Sequence, residues 1–181
     1  NYKLHIETNG VIAPDERLFE LIDHWTVSPK RYPVVQGFER RFQLAVSAQL
    51  LGLSEQALDL TAAYVRERHQ FGVPIGSFQA VSQRLGDAFI ALETLRVNLW
   101  RAVWLETEEQ GSLEAVLTAR YVANQAAHQV VSTAQHVHGG MGFDRDYPLH
   151  RFFLGVKRLE FLGGGAALQL ARLGQCLAEE S

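Results

Sequence analysis

The spacing of apolar residues changes character near residue 37 of this 181-residue chain. Before that point, apolar and polar residues alternate from Tyr2 to Glu7 and reach the dipeptide Asn9-Gly10, which predicts a β-strand that ends in a turn. Prolines interrupt the next stretch, in which we expect a helical turn over Leu18 to Trp25. Residues 1–36 are therefore expected to be the end of a preceding β domain and a linker.

From Gly37 onwards, apolar residues recur every three or four positions, which is the spacing of an amphipathic α-helix. The first stripe consists of Phe42, Val46, Leu50, Leu53, Ala57, Leu60 and Tyr64. It ends near Gly72-Val73-Pro74, where glycine and proline break a helix. A second apolar row on the same helix predicts burial on more than one side, and hence contact with another domain or subunit. That row is Ala45, Ala48, Leu51, Leu58 and Val65.

Four more helices follow from the same spacing. Ser77 is expected to cap the second helix and Ser112 the third, because a serine hydroxyl accepts hydrogen bonds from first-turn amides. Pro148 suits the first residue of the fourth helix, and a glycine run at 163–165 precedes a short last helix, Leu168 to Leu177. Three long helices joined by short turns predict an all-α antiparallel helical bundle over residues 37–181.

Charge and composition argue against several classes of function. A net charge of -3 and a pI near 6.2 lack the basic footprint of a nucleic-acid binder. No run approaches the roughly 18 apolar residues of a membrane span. The single Cys176 excludes an internal disulfide and favours a reducing compartment such as the cytoplasm. Because the only methionine is Met141, the chain starts without an initiator, and we expect a piece of a longer protein.

Two segments carry the candidate chemistry. Residues 64–81 read YVRERHQFGVPIGSFQAV, and residues 136–151 read HVHGGMGFDRDYPLHR. In sequence, order and separation, they resemble two signature stretches of the carboxyl-terminal helical domain of acyl-CoA dehydrogenases. The resemblance runs from about Gly37 to the end of the chain. The variant second segment and the glycine run at 163–165 are similar to a divergent actinobacterial-type subfamily that acts in lipid and steroid breakdown.

This resemblance implies a four-helix-bundle-like domain that binds FAD in an enzyme acting on acyl-CoA. Members of the family remove two hydrogens from the acyl-CoA thioester: a carboxylate takes one as a proton, and the flavin takes the other as a hydride. The domain clamps the adenosine diphosphate half of the FAD held by a neighbouring subunit. The resemblance therefore implies a homo- or hetero-oligomer that shares FAD across its interface, with an electron-transfer flavoprotein as a further partner.

Residue-by-residue matching assigns the cofactor contacts that the resemblance implies. Arg68 would pair with the pyrophosphate, which suits the planar donor fork of a guanidinium. Phe71 and Gln79 would line the adenosine side. Gly139 and Gly140 would let backbone amides approach the phosphates with no side chain between them.

The chain departs from the family pattern at two places. His136 stands where the family has a cofactor-binding glutamine, and it can still donate a hydrogen bond. The position of the catalytic glutamate is Gly163, and the alternative position on the first long helix is Phe42, so neither residue can accept a proton. Glu160, almost one turn before Gly163, is either a relocated base or an ordinary helix carboxylate.

Three functions remain open at this point. The chain is a dehydrogenase subunit whose base comes from Glu160 or from a partner chain, a non-catalytic subunit that stabilises an active partner, or a helical interaction module without flavin. Retention of Arg68, Phe71 and Gln79 favours the first two, because a chain without flavin has little physical reason to keep them. The acyl chain length and the partner do not follow from the sequence.

Other polar patterns have plainer interpretations. His136, His138 and His150 suggest a metal site, but no cysteine or carboxylate trio completes a ligand set. Asp144 and Asp146 are more typical of carboxylates that bond the backbone amides of a turn than of an acid–base pair. The tryptophans, expected in the core or at an interface, are Trp25, Trp100 and Trp104.

Overall fold

The computed structural model describes residues 5–8, 24–27, 33–108 and 110–179. The chain divides into two compact units, Asn1–Phe42 and Gln43–Ser181, and each is considered by itself. In the first unit, strand β1 (His5–Thr8) pairs in parallel with strand β2 (His24–Val27). Ile6 lies opposite Trp25 in this pair.

The strand predicted near the start of the chain is confirmed for the residues that the structure describes. The helical turn predicted over Leu18 to Trp25 is wrong at its end, because His24 and Trp25 belong to β2. The run Trp25-Thr26-Val27 combines an aromatic with two β-branched residues, and such residues favour extended, paired backbone. The other residues of both predictions lie outside the described part of the chain.

In the part of the chain that the structure describes, five α-helices follow the strands, which confirms the predicted all-α helical bundle. They are α1 (Pro33–Glu67), α2 (Gln79–Thr107), α3 (Leu113–His138), α4 (Leu149–Phe161) and α5 (Ala166–Glu179). A small antiparallel hairpin, β3 (His69–Gln70) with β4 (Val73–Pro74), joins α1 to α2. Short 3₁₀ helices cover Ile75–Ser77 and Gly139–Phe143. Within the described residues, no helix is both long and apolar enough to cross a membrane.

Helix α3 lies at the centre of the bundle, where it contacts α2, α4 and α5. Its inward positions are mostly small, and a helix that presents alanines lets its neighbours approach closely. Five apolar residues that recur at helical spacing along α3 are all buried: Val116, Ala119, Ala123, Ala126 and Val130. In α1, Leu50 and Ala57 of the first row are fully buried, and Leu58 and Val65 of the second row are buried as well.

The predicted helix starts are partly right. Ser112 caps α3 as expected, since its Oγ accepts a hydrogen bond from Ala115 N at 3.2 Å. Ser77 does not cap α2: the N-cap is Phe78, and Ser77 Oγ donates to Pro74 O at 2.7 Å within the preceding turn. Pro148 is the N-cap of α4 rather than its first residue. The last helix is longer at both ends than the predicted Leu168 to Leu177.

Replacement of Ser112 by alanine is expected to lower the free energy of unfolding by about 1 kcal/mol, because a first-turn amide of α3 loses its acceptor. Urea denaturation followed by circular dichroism measures the change. Ser82→Ala is the matched control, since its exposed Oγ donates only to the Gln79 carbonyl within α2 and its loss should cost less than about 0.5 kcal/mol. Equal losses in the two variants would contradict the capping role.

Candidate cofactor-binding site

The carboxyl ends of α1 and α3 lie side by side. The ring of Tyr64 stacks on the ring of His138 with centroids 4.2 Å apart and an angle of 23° between the planes. Tyr64 precedes Arg68 by about one helical turn, and His138 is directly followed by Gly139. This stack therefore brings the two sequence segments that carry the candidate chemistry to the same end of the bundle.

His138 is a buried histidine with a bonding partner at each ring nitrogen. Its Nδ1–H donates to Ala134 O at 2.8 Å, and its Nε2 accepts from the Tyr147 hydroxyl at 3.0 Å. Burial lowers the pKa of His138, with a smaller opposing effect of the bond to Ala134, so the neutral ring is the form that this site favours. The edge of the Tyr147 ring also meets Tyr64, at a centroid distance of 6.4 Å.

Arg68 lies between the end of α1 and the start of the β3–β4 hairpin. Its backbone is held on both sides, because Arg68 N donates to Tyr64 O and Arg68 O accepts from Ile75 N, each at 2.8 Å. The side chain is exposed. The arrangement thus fixes the backbone of Arg68 and leaves its guanidinium to the solvent side, where an anion can reach it.

Phe71, at the tip of the hairpin, has an unusual conformation. Its φ is 54°, in the left-handed region, and its side chain is 93% exposed. A bulky residue there costs about 1–2 kcal/mol, and an aromatic ring so exposed gains little from folding. Its one ring contact is with Phe78, edge to face at 6.2 Å. Strain and exposure at one residue point to a contact made with another molecule.

Helix α2 begins next to this hairpin, because its N-cap is Phe78, the residue that meets Phe71. The N-cap makes no side-chain hydrogen bond to the first turn, and the exposed Gln79 is the first helical residue. The first amides of a helix carry partial positive charge and bind anions. Arg68 and the start of α2 are therefore both suited to phosphate.

Gly139 and Gly140 form the turn at the end of α3. Gly139 has a φ of 59°, and a Cβ added to either glycine would meet no atom within 4 Å, so the surface here is open. The Gly139 amide already donates to the carbonyls of Gln135 and His136, so its contribution to a site is space and not a free N–H. The exposed His136 lies in the last turn of α3 and supplies a donor beside the glycines. Arg68, Phe71, Gln79, His136, Gly139 and Gly140 are together called the candidate cradle.

The loop between α4 and α5, where the resemblance places the catalytic base, is built on glycine. Gly163 has a φ of 77° and Gly164 a φ of 105°. Three side-chain amides donate to the loop carbonyls: Gln169 to Gly163 at 2.7 Å, Gln43 to Gly163 at 3.2 Å and Asn124 to Gly164 at 3.4 Å. A Cβ on Gly164 would also lie 2.6 Å from Leu168 Cδ2. Amide hydrogen bonds hold this loop, and Gly164 has no room for a side chain.

Arg120 is a fully buried cation that the sequence analysis did not identify. Its Nε donates to Gln43 Oε1 at 2.9 Å, its Nη1 donates to Asn124 Oδ1, and its Nη2 donates to the carbonyls of Leu159 and Leu162 at 2.8 Å each. Burial lowers the pKa of Arg120 to about 10, so the guanidinium stays charged at neutral pH. It ties α1, α3 and the end of α4 to the glycine loop.

Glu160, the candidate relocated base, belongs to a cluster of charged side chains on the bundle surface. Its carboxylate accepts from Lys157 Nζ at 3.0 Å and lies 3.2 Å from His128 Nδ1, while Lys157 also contacts His128. The ion pair with Lys157 accounts for this carboxylate, and the cluster needs no substrate to explain it. The geometry is that of an ordinary helix ion pair.

The remaining polar predictions concern the turn after α3. Asp144 Oδ1 accepts from Asp146 N at 2.9 Å, which confirms the turn role expected of that carboxylate. His150 Nδ1–H donates to Tyr147 O at 2.8 Å. Over the residues that the structure describes, no group of three or more histidine, cysteine or acidic side chains could hold a metal ion.

Two of the tryptophans lie on the surface. Trp100 is 64% exposed and Trp104 is 57% exposed, which excludes the core of this chain, one of the two places expected for them. Together with Phe89, Ile90 and Val97, they form an exposed apolar face along α2. Apolar faces of this kind mark interaction surfaces.

Comparison with known proteins gives one consistent match. The sequence pattern of the family described as acyl-CoA dehydrogenase, C-terminal domain, matches residues 35–178. The chain is 47% identical over 144 residues to acyl-CoA dehydrogenase FadE27 of Mycobacterium tuberculosis, covering 75% of this chain and 39% of that protein. The chain thus spans well under half of the length of this relative.

Two solved structures are similar as well. The ChsE4-ChsE5 complex from Mycobacterium tuberculosis superposes with a TM-score of 0.78 at 46% identity, over 81% of this chain and 40% of that one. A G363A variant of the Tcur3481-Tcur3483 steroid ACAD gives a TM-score of 0.73 at 44% identity, over 76% of this chain and 38% of that one.

Replacement of Gly163 by alanine or glutamate is expected to destabilise the chain by about 1–2 kcal/mol, because either side chain must adopt a left-handed backbone. Thermal unfolding followed by circular dichroism measures the loss. Gly52→Ala is the control: it lies within α1, a Cβ there meets no atom within 4 Å, and helix propensity predicts an unchanged or slightly raised stability. An unchanged midpoint for Gly163→Glu would show that the loop accepts a carboxylate without strain.

Proposed function

This chain belongs to the acyl-CoA dehydrogenase family, and from that premise we propose that it is the part of a dehydrogenase subunit that binds the adenosine diphosphate half of FAD. The observation that carries the proposal is the stack of Tyr64 on His138, which brings the ends of α1 and α3 together. The enzyme would act on an acyl-CoA, and the steroid-directed relative makes a lipid or steroid acyl group the preferred class.

The donor set of the candidate cradle fits a pyrophosphate. Arg68 offers a fork of N–H donors on a fixed backbone, and the open start of α2 adds the partial positive charge of a helix amino terminus. His136 adds a further donor on the other side. The exposed Phe71 ring supplies an apolar surface of the kind on which an adenine or its ribose can rest.

The flavin, when bound, would accept the hydride that leaves the acyl-CoA. The contribution of this chain is positional. Arg68 and His136 would bind the phosphates, Phe71 and Gln79 would hold the adenosine, and the turn at Gly139 and Gly140 would give the phosphates room to approach the backbone. Such contacts orient a cofactor and do not themselves transfer a proton.

The proton acceptor is proposed to come from a partner subunit. The amide-bound glycine loop offers no carboxylate, and Glu160 is held by Lys157. One of the similar structures is a complex of ChsE4 with ChsE5, so a relative of this chain assembles from two different chains. The exposed apolar face of α2, with Trp100 and Trp104, is the proposed contact surface for such a subunit. A subunit that stabilises an active partner without catalysing the reaction is the second candidate.

The cytoplasm is the proposed location of the assembly, because a chain with a single cysteine cannot form an internal disulfide and suits a reducing compartment. An electron-transfer flavoprotein is the proposed acceptor of the electrons.

Arg68→Ala is expected to weaken FAD binding by about tenfold to a hundredfold in the full-length protein and its assembly. The reason is the loss of charge-assisted hydrogen bonds, each worth about 1.5–3 kcal/mol. Isothermal titration of the deflavinated assembly with FAD measures the affinity. Arg101→Ala is the charge-matched control, because Arg101 lies 22 residues beyond Gln79 on α2, about 33 Å along the helix axis. Equal affinity of wild type and Arg68→Ala would remove Arg68 from the site.

The origin of the base has a separate test. We expect an acyl-CoA to bleach the flavin absorbance only when the full-length protein is assembled with a partner subunit that carries a carboxylate base. Stopped-flow absorbance follows the bleaching. Rapid bleaching by this chain assembled only with itself would locate the base within the same polypeptide.

A further inference from the structure

We propose that His138 is the positioning residue of the candidate cradle: its imidazole joins the half that carries Arg68 and Phe71 to the half that carries Gly139 and Gly140. The proposal rests on the proposed FAD site and adds a residue to it. His138 itself is 3% exposed, so it acts through its neighbours and does not touch the cofactor.

Three parts of the chain meet at this ring. Its face stacks on Tyr64 of α1, its Nδ1–H donates to Ala134 O of α3, and its Nε2 accepts from the hydroxyl of Tyr147 beyond the glycine turn. The turn from Gly139 to Asp146 is therefore held at both of its ends, by His138 before it and by Tyr147 after it. A change at the ring alters the turn and the end of α1 together.

No other common side chain reproduces this combination. Phenylalanine keeps the stack on Tyr64 and loses both hydrogen bonds, while glutamine can form hydrogen bonds but has no ring to stack. Tyr147→Phe removes only the hydroxyl that donates to Nε2. These two hydrogen bonds and the stack can thus be removed in separate steps.

The arrangement also predicts a pH dependence. Nε2 accepts the Tyr147 hydroxyl only while His138 is neutral, and burial lowers the pKa of His138 below its usual value near 6.5. Because the folded-state pKa is depressed, the contribution of the neutral ring is complete above about pH 6.5 and declines as the pH falls through the folded-state value. FAD affinity should decline in the same range.

Other titratable groups surround this ring. Burial raises the pKa of Tyr147, and Tyr64 and Glu67 of α1 raise it further. Tyr147 and His150 follow the turn. His136, on α3 itself, is a second histidine and lies beside the proposed phosphate site. The pH profile is therefore compared in a His136→Gln background.

The experiment uses the full-length protein in its purified assembly, from which the flavin has been removed. This sample is titrated with FAD between pH 5.5 and 8.5, which extends about one unit to the acid side and two to the alkaline side of the usual histidine pKa. Tyr147→Phe is expected to weaken FAD binding about twofold to tenfold at alkaline pH, the effect of one lost hydrogen bond. His138→Phe is expected to weaken it at least as much and to abolish the decline of affinity at acid pH. Tyr121→Phe is the matched control, since its hydroxyl meets only the exposed Gln125 on α3.

The outcomes separate this inference from the proposed function. Wild-type affinity and an unchanged pH profile in both His138→Phe and Tyr147→Phe, with Arg68→Ala still weakened, would overturn the role of His138 alone. A lower melting temperature without a change in affinity would overturn it too. If His138→Phe does not fold, Tyr147→Phe decides. A wild-type assembly that takes up no FAD at any pH would overturn both proposals.

Discussion

The stack of Tyr64 on His138 is the interaction on which the candidate cradle depends. Helices α1 and α3 end at this contact, and all of the cradle except the hairpin tip and the start of α2 lies within about one turn of it. A ring pair of this kind contributes about 0.5–1.5 kcal/mol beyond the area it buries, and two hydrogen bonds add to it. The combined free energy is modest, but these contacts fix the position of Arg68 relative to Gly139.

A second constraint concerns the loop between α4 and α5, where the family pattern has its catalytic base. Arg120 is a buried cation, and transfer of a charge into the interior costs several kcal/mol unless hydrogen bonds compensate it. Its partners are carbonyls and amides, and two of these side chains, Gln43 and Asn124, in turn donate to the glycine loop. The loop is thereby ordered around left-handed glycines. A side chain at Gly163 or Gly164 would have to adopt this left-handed backbone, which is unfavourable for any residue except glycine.

These two constraints concern two separate tasks of a dehydrogenase, which are cofactor binding and proton abstraction. The end of the bundle near His138 carries exposed donors and a strained, exposed aromatic ring, which are the features that we propose bind an anionic cofactor. The loop near Arg120 is held by amide hydrogen bonds and carries no carboxylate. A subunit that binds cofactor while another chain supplies the base combines both properties, and the apolar face of α2 offers a surface for the second chain.

Local sequence patterns predicted the features of this structure that depend on residues close together in the chain. Apolar spacing predicted the bundle because burial of a stripe governs where long helices form, and Ser112 caps α3 through a contact three residues away. The start of α2 was misplaced by one residue because Ser77 Oγ donates to Pro74 O within its own turn, and the N-cap is Phe78.

Contacts between residues far apart in the chain could not be predicted from the sequence. Arg120 and Gln43 are 77 positions apart, and only the folded bundle joins them. A single arginine among the alanines of α3 was the one signal present. The two motifs identified the residues of the candidate cradle, but their spacing along the chain does not show that one buried histidine brings them together.

The most direct test of this account is a structure of the flavin-loaded assembly, in which the Arg68 guanidinium can be located relative to the cofactor. We expect Arg68 nitrogens within about 2.7–3.2 Å of the pyrophosphate oxygens, with the turn at Gly139 and Gly140 on the same cofactor half. A pyrophosphate bound elsewhere, with Arg68 directed into solvent, would contradict it.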